Sequence, residues 1–97
     1  MIYNNAILTV KEAADVSVVA APLGRQGALS RAELGCERFE VYHSETDACV
    51  FILVEQWATQ ADLGAHRLAP GFTEIYQPKV LPLVERTPHL CTLMDEL

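Results

Sequence analysis

The sequence has few basic residues, and this scarcity excludes the classes of protein that bind polyanions. Seven Lys and Arg residues against thirteen Asp and Glu residues give a formal net charge of −6, and the basic residues are scattered along the chain. A protein that neutralises phosphates needs clustered cations, and an anionic membrane surface repels a chain of this charge. We therefore expect neither nucleic acid nor a membrane among the partners.

Long apolar runs and paired cysteines are also missing. The longest apolar run, residues 49–54, is far shorter than the roughly 20 residues that span a bilayer, and the first residues do not form a signal peptide. Cys36, Cys49 and Cys91 are an odd number at wide spacing, without a C-x-x-C pair. Reduced thiols in a reducing compartment fit this pattern, so we expect a cytoplasmic protein.

Motifs for cofactors and metals are absent from the sequence. No G-x-G-x-x-G or P-loop pattern occurs, so a nucleotide cofactor has no recognisable site. His43, His66 and His89 lack the spacing of paired metal ligands, such as H-x-x-x-H. We therefore expect no bound cofactor and no metal.

The composition indicates one small domain with extra buried surface. The chain of 97 residues suits a single domain over residues 1–97. Its hydrophobic fraction of 51% is high for a small monomer. A subunit interface is one place where such an excess is buried.

Apolar periodicity predicts four strands and three helical segments. The predicted strands cover residues 6–10, 38–43, 48–57 and 90–94, and the predicted helices cover residues 16–34, a short segment from 59 and residues 72–83. Asp15 and Thr59 are placed to cap helices, and Gly35 is placed to end the first one.

Prolines interrupt two of these helices. Pro22 predicts a kink in the first helix or a late start, and Pro78 and Pro82 predict that the last helix is bent or shortened. Pro88 directly precedes the predicted final strand.

The strand over residues 48–57 is apolar on both faces, unlike a strand with one face in water. The order βαββαβ is that of a ferredoxin-like α+β fold, in which helices cover one face of an antiparallel sheet. The chain has no further element for the other face. We therefore expect a second copy of the chain to cover it.

Three segments resemble the antibiotic biosynthesis monooxygenase family: SRAELGCERFEV at residues 30–41, FILVEQW at 51–57 and AHRLAPGF at 65–72. They occur in the family's order and spacing. The resemblance implies a dimeric α+β barrel and a homodimer. Within the family, VEQW and the segment around His66 are most similar to quinol-monooxygenase-like members. One departure is Gly71, at a position that is often His.

What the resemblance implies for activity is cofactor-free oxidation of a small phenolic or quinol-like aromatic molecule, with O₂ as co-substrate. Other relatives degrade haem or isomerise a phosphorylated sugar-derived signal. Two alternatives stay open for this chain. One is a non-catalytic ligand-binding or stress-related domain on the same scaffold, and the other is an isomerase of a small carbonyl compound.

His66 is the candidate catalytic residue, because an imidazole titrates near neutral pH and can remove a proton from a phenol or quinol. A histidine packed within the protein is the alternative. The candidate substrate-binding residues are Trp57, Phe51, Phe72, Tyr76 and Arg38. For the aromatic residues the alternative is an ordinary core position, and for Arg38 it is an ion pair with Glu55 on the neighbouring strand.

Overall fold

A computed structural model describes residues 1–96 of the chain. The strands are β1 (Ile2–Val10), β2 (Cys36–His43), β3 (Val50–Trp57) and β4 (Val84–Cys91), and the α-helices are α1 (Val16–Arg31) and α2 (Gln60–His66). A π-helix covers Gly71–Val80, and 3₁₀ turns cover Ala13–Asp15, Leu81–Leu83 and Met94–Glu96. The last residue of the expected domain, residue 97, lies outside the described residues.

The four strands form one antiparallel sheet in the order β2-β3-β1-β4. The chain order and the strand order are those of the predicted ferredoxin-like α+β fold, which is confirmed. β1 lies between β3 and β4, so that Ala6 is opposite both Leu53 and Pro88. Helix α1 and the π-helix pack against each other and against the same side of the sheet.

The two faces of the sheet differ in their surroundings. We call the face beneath the helices the covered face; it carries Leu8, Phe51 and Leu53, each at most 3% exposed. Among residues 1–96, neither α-helix and no part of the π-helix packs on the opposite side, which we call the bare face. There Ile7 is 39% exposed and Ile52 half-buried. Strand β3 is therefore apolar on both faces, but helices cover only one of these faces within residues 1–96.

Helix α1 begins where the apolar stripe begins and runs through Pro22, so the predicted late start is wrong. Asp15 is the N-cap residue but makes no side-chain capping bond. The helix ends at Arg31, before Gly35. This glycine has a φ of +78°, and a Cβ on it would overlap the side chain of Asp62, so both its backbone and its surroundings favour glycine.

The last helical segment differs from the predicted bent or shortened α-helix. It is a π-helix over Gly71–Val80 that passes into a 3₁₀ turn, with Pro78 in the first and Pro82 in the second. A proline lacks the N–H of the regular i→i−4 ladder, and the wider and tighter turns replace that ladder here. Within residues 1–96, none of the helices has the length and apolar character that crossing a membrane requires.

Strand β4 begins at Val84, six residues before its predicted start. Pro88 lies inside it. Because β4 is at the edge of the sheet, one side of its backbone has no partner strand, and a residue without an N–H is tolerated there.

The predicted cap of α2 is confirmed, since the Asp62 amide donates to the Thr59 hydroxyl at 3.1 Å.

Candidate functional site

His66 lies at the end of α2 and is fixed by a carboxylate. Its Nδ1 is 2.8 Å from Oε1 of Glu33, which follows α1, and the His66 side chain is 4% exposed. An ionised carboxylate only accepts hydrogen bonds, so Nδ1 carries the proton in this pair. In the neutral imidazole Nε2 then has the free lone pair, which is the form that accepts a proton.

Aromatic rings enclose this imidazole. The ring centroid of Trp57 lies 4.6 Å from that of His66, at 35°, and those of Phe39 and Phe72 lie at 5.6 and 5.7 Å. The Phe72 ring in turn contacts Tyr76 at 5.3 Å. The fold thus brings four predicted site residues, His66, Trp57, Phe72 and Tyr76, into one connected group on the covered face.

Glu55 is a buried carboxyl group within this group of residues. It is 4% exposed, accepts a hydrogen bond from Trp57 Nε1 at 3.0 Å and has Asn4 Nδ2 at 3.4 Å. Burial raises the pKa of Glu55 above its usual value, while the Trp57 hydrogen bond and the nearby His66 oppose that rise. A second proton-binding group therefore lies close to the imidazole.

Arg38 lies on the other side of the sheet. It forms an ion pair with Glu40 at 2.6 Å, and Tyr42 donates to the same carboxylate at 2.7 Å. The predicted Arg38–Glu55 pair is wrong, because Phe39 is the residue of β2 opposite Glu55 and a register shift separates Cys36 from Arg38. Arg38 borders a recess of about 200 Å³ on the bare face with Val54 and Gln56.

Two of the predicted site residues, Tyr76 and Phe51, lie in the hydrophobic core. The Tyr76 hydroxyl is buried and forms no well-oriented hydrogen bond with any of residues 1–96. Burial raises the pKa of Tyr76, an effect that the nearby Arg86 opposes, so the hydroxyl stays protonated and able to donate. Phe51 belongs to the same core as Tyr76, but its ring stacks on His43 at 4.2 Å.

A recess opens beside the Glu33–His66 pair. Its volume is about 180 Å³, and it is lined by Glu33, Leu34, Asp62, Ala65, His66 and Ala69. An apolar cavity of roughly 150 Å³ holds one benzene molecule in a well-studied protein. The recess is therefore large enough for one aromatic ring next to a histidine and a carboxylate.

Glu33 was not among the predicted site residues. It lies off the apolar stripe of α1, and its partner His66 is 33 residues further along the chain. Elsewhere on α1, Gln26 Oε1 and Ser30 Oγ are fully buried without a partner among residues 1–96. Residues 1–96 contain no cluster of three His, Cys, Asp or Glu side chains able to hold a metal. Cys36, Cys49 and Cys91 are free thiols.

Comparison with known proteins gives one family. A sequence model described as antibiotic biosynthesis monooxygenase matches residues 1–77. Among curated proteins, none matches the sequence.

Solved structures share the fold at low identity. A crystal structure of an antibiotic biosynthesis monooxygenase and a Nitrosomonas europaea protein provisionally described as one are each 20% identical, with a TM-score of 0.88 over 97% of this chain and 99% of theirs. A Bacteroides thetaiotaomicron protein of unknown function, described as a possible oxidoreductase, is 24% identical, with a TM-score of 0.82 over 95% of this chain and 96% of its own. At these identities the likeness shows the fold alone.

Proposed function

Because this chain belongs to the antibiotic biosynthesis monooxygenase family, we propose that it oxidises a small aromatic or quinol-like compound with O₂ and without a bound cofactor. Resemblance to the quinol-monooxygenase-like members supports the choice of substrate class. His66 is the proposed catalytic residue. Trp57 and Phe72 contact the His66 ring and Tyr76 contacts Phe72, but none of the three lines the recess, so we assign them to positioning His66.

The observation that carries this proposal is the pairing of Glu33 with His66 beside a recess of the size of one ring. The 2.8 Å contact fixes the tautomer of the imidazole, and Trp57 fixes its plane from one side. A base held in this way has its orientation before the substrate arrives, which is the requirement for effective general-base catalysis.

This reaction requires little chemistry from the protein itself. For a hydroquinone, the balanced reaction with O₂ gives a hydroxyquinone and one water molecule, so the substrate itself supplies every electron. His66 would accept the hydroxyl proton, and the resulting anion is the species that passes an electron to O₂. The apolar walls would exclude water from this anion and keep its charge close to the imidazole.

Assembly is the second part of the proposal. Members of the family commonly form dimers, and we propose that the bare face pairs with the bare face of a second copy. Ile7 and Tyr42 are large side chains that remain 39% and 47% exposed there, and a homodimer interface is the usual place for such a surface. We also propose that the protein works in the cytoplasm, where its thiols stay reduced.

The test is O₂ uptake with a panel of hydroquinones by the wild-type protein and two histidine variants. His66→Gln keeps a polar side chain beside Glu33 but loses the imidazole, and we expect turnover to fall by about 100-fold or more. His43→Gln is the matched control, since His43 lies in the β2–β3 hairpin, bonded to the Ala48 carbonyl. Equal rates for both variants, or no uptake by folded wild-type protein, would refute the oxygenase.

The competing proposal is a non-catalytic domain that binds a small apolar ligand. The burial of His66, with Nδ1 already occupied, favours it, because a satisfied histidine is also a structural residue. In that case hydroquinones bind without being consumed, and His66→Gln changes stability and affinity together.

A further inference from the structure

The two oxygens of Glu33 have different surroundings. Oε1 is engaged with His66 at 2.8 Å, whereas no hydrogen-bond donor among residues 1–96 reaches Oε2. The side chain is 18% exposed and lines the recess of about 180 Å³, whose other walls are largely apolar. A carboxylate oxygen at an apolar recess needs a donor from water or from a ligand.

Gly71 lies next to this oxygen, although it is not among the residues that line the recess. A Cβ built on Gly71 would lie 3.8 Å from Glu33 Oε2 and 3.5 Å from the Leu29 Cβ. Among residues 1–96, Gly35 is the only glycine with a positive φ, so the φ of Gly71 is not positive. The backbone therefore does not require glycine at position 71, and the consequence of its small size is the space that it leaves next to Oε2.

We propose that Glu33 holds both the base and the substrate: Oε1 orients His66, and Oε2 accepts a hydroxyl of the ligand in the space that Gly71 leaves open. Glu33 is then a positioning residue through one oxygen and a binding residue through the other, and Gly71 determines specificity. The ligand class is an aromatic ring with an O–H donor. This inference rests on the proposed function, whose site it shares.

Binding under anaerobic conditions tests the proposal without turnover. The probes are methylhydroquinone and its dimethyl ether, which has the same ring but no donor. We expect wild-type protein to bind the diol about tenfold more tightly than the ether, the scale of one charge-assisted hydrogen bond. Glu33→Gln should remove most of that preference and leave the affinity for the ether unchanged.

Two glycine variants give a matched comparison. Gly71→Ala and Gly64→Ala both add a methyl group in a helical segment, and both should raise the melting temperature by a few degrees. The Gly64 position has no atom within 4 Å of an added Cβ. We expect Gly71→Ala to weaken diol binding at least fivefold, and Gly64→Ala to keep it within twofold of wild type.

The ¹⁵N spectrum of the His66 ring separates positioning from mere packing. Wild-type protein should show the proton on Nδ1, and Glu33→Gln should mix the two tautomers, because an amide both donates and accepts. Equal diol affinities of the two alanine variants, a diol preference that survives in Glu33→Gln, or wild-type protein that binds neither probe would each overturn the inference.

Failure of the proposed function gives a different pattern. If the donor preference and the Gly71→Ala effect are present but no hydroquinone is oxidised, the binding contact stands and the oxygenase does not. If oxidation is present and both Glu33→Gln and Gly71→Ala bind and turn over as wild type, the oxygenase stands and this contact does not.

Discussion

The two faces of the sheet place the same kinds of residue in opposite environments. On the covered face Glu55 is buried, and a Trp57 N–H rather than a cation is its partner. On the bare face Glu40 is exposed and paired with Arg38. Burial raises the pKa of Glu55, whereas the Arg38 hydrogen bond lowers the pKa of Glu40. We propose chemistry for the covered face and association with a second copy for the bare face.

Adjacent residues of β3 give the largest contrast between the faces. Ile52→Asp puts a charge in the middle of the bare face, and we expect the proposed dimer to dissociate into folded monomers at micromolar concentration, as measured by sedimentation. Leu34→Asp is the control, because Leu34 is 88% exposed and follows α1, away from the bare face. A wild-type monomer, or Ile52→Asp that dimerises like the control, would remove the proposed interface.

Leu53, one residue further on, should act through the core instead. It is 1% exposed on the covered face, and Leu53→Ala should lower the free energy of unfolding by about 2–5 kcal/mol. Urea unfolding measures this value at several protein concentrations. The comparison fails if the loss is below about 1 kcal/mol, since a core position cannot lose a leucine at so small a cost.

The two glutamates should give opposite pH dependences of stability. Because the folded-state pKa of Glu55 is raised, its stability contribution is fully present below the unfolded value of about 4.3 and is lost as pH rises through the folded value. Glu55→Gln should therefore raise the free energy of unfolding by on the order of 1 kcal/mol at neutral pH. The stability of this variant should also fall less steeply as pH rises.

Glu40→Gln is the counterpart on the bare face. The folded-state pKa of Glu40 is lowered, so its contribution is present above the unfolded value and is lost as pH falls through the folded one. Exposed pairs contribute little, and we expect the smallest effect of the series here. Urea midpoints between pH 3 and 8 measure both variants, and equal slopes would contradict the assigned environments.

The sequence predicted the parts of the fold in which local pattern and tertiary environment agree. The apolar residues of β3 follow a regular alternation that the structure keeps, and the Thr59 cap depends on neighbouring residues alone. The start of strand β4 escaped prediction because all of the strand after Val84 is exposed, so it has no alternation to detect. The π-helix escaped because its period is not 3.6 residues.

The site was predictable only in part, for a similar reason. His66 and Trp57 stand out as residue types, and their meeting follows from α2 packing over the end of β3. Glu33 lies in one of the three segments that resemble the family, but its role is hidden because its partner is 33 residues away and α1 periodicity places it off the buried stripe. Arg38 was placed with Glu55 because alternation alone does not reveal the register shift after Cys36.

The most direct test of the account compares the three histidines, which lie in three different places. His66 lies beside the recess, His43 is in the β2–β3 hairpin, and His89 is on the bare face opposite Asn5. Anaerobic titration with methylhydroquinone, followed by the ¹⁵N resonances of the imidazole rings, should shift His66 and leave the other two in place. An unmoved His66, or a shift confined to His89, would contradict a ligand site at the Glu33–His66 pair.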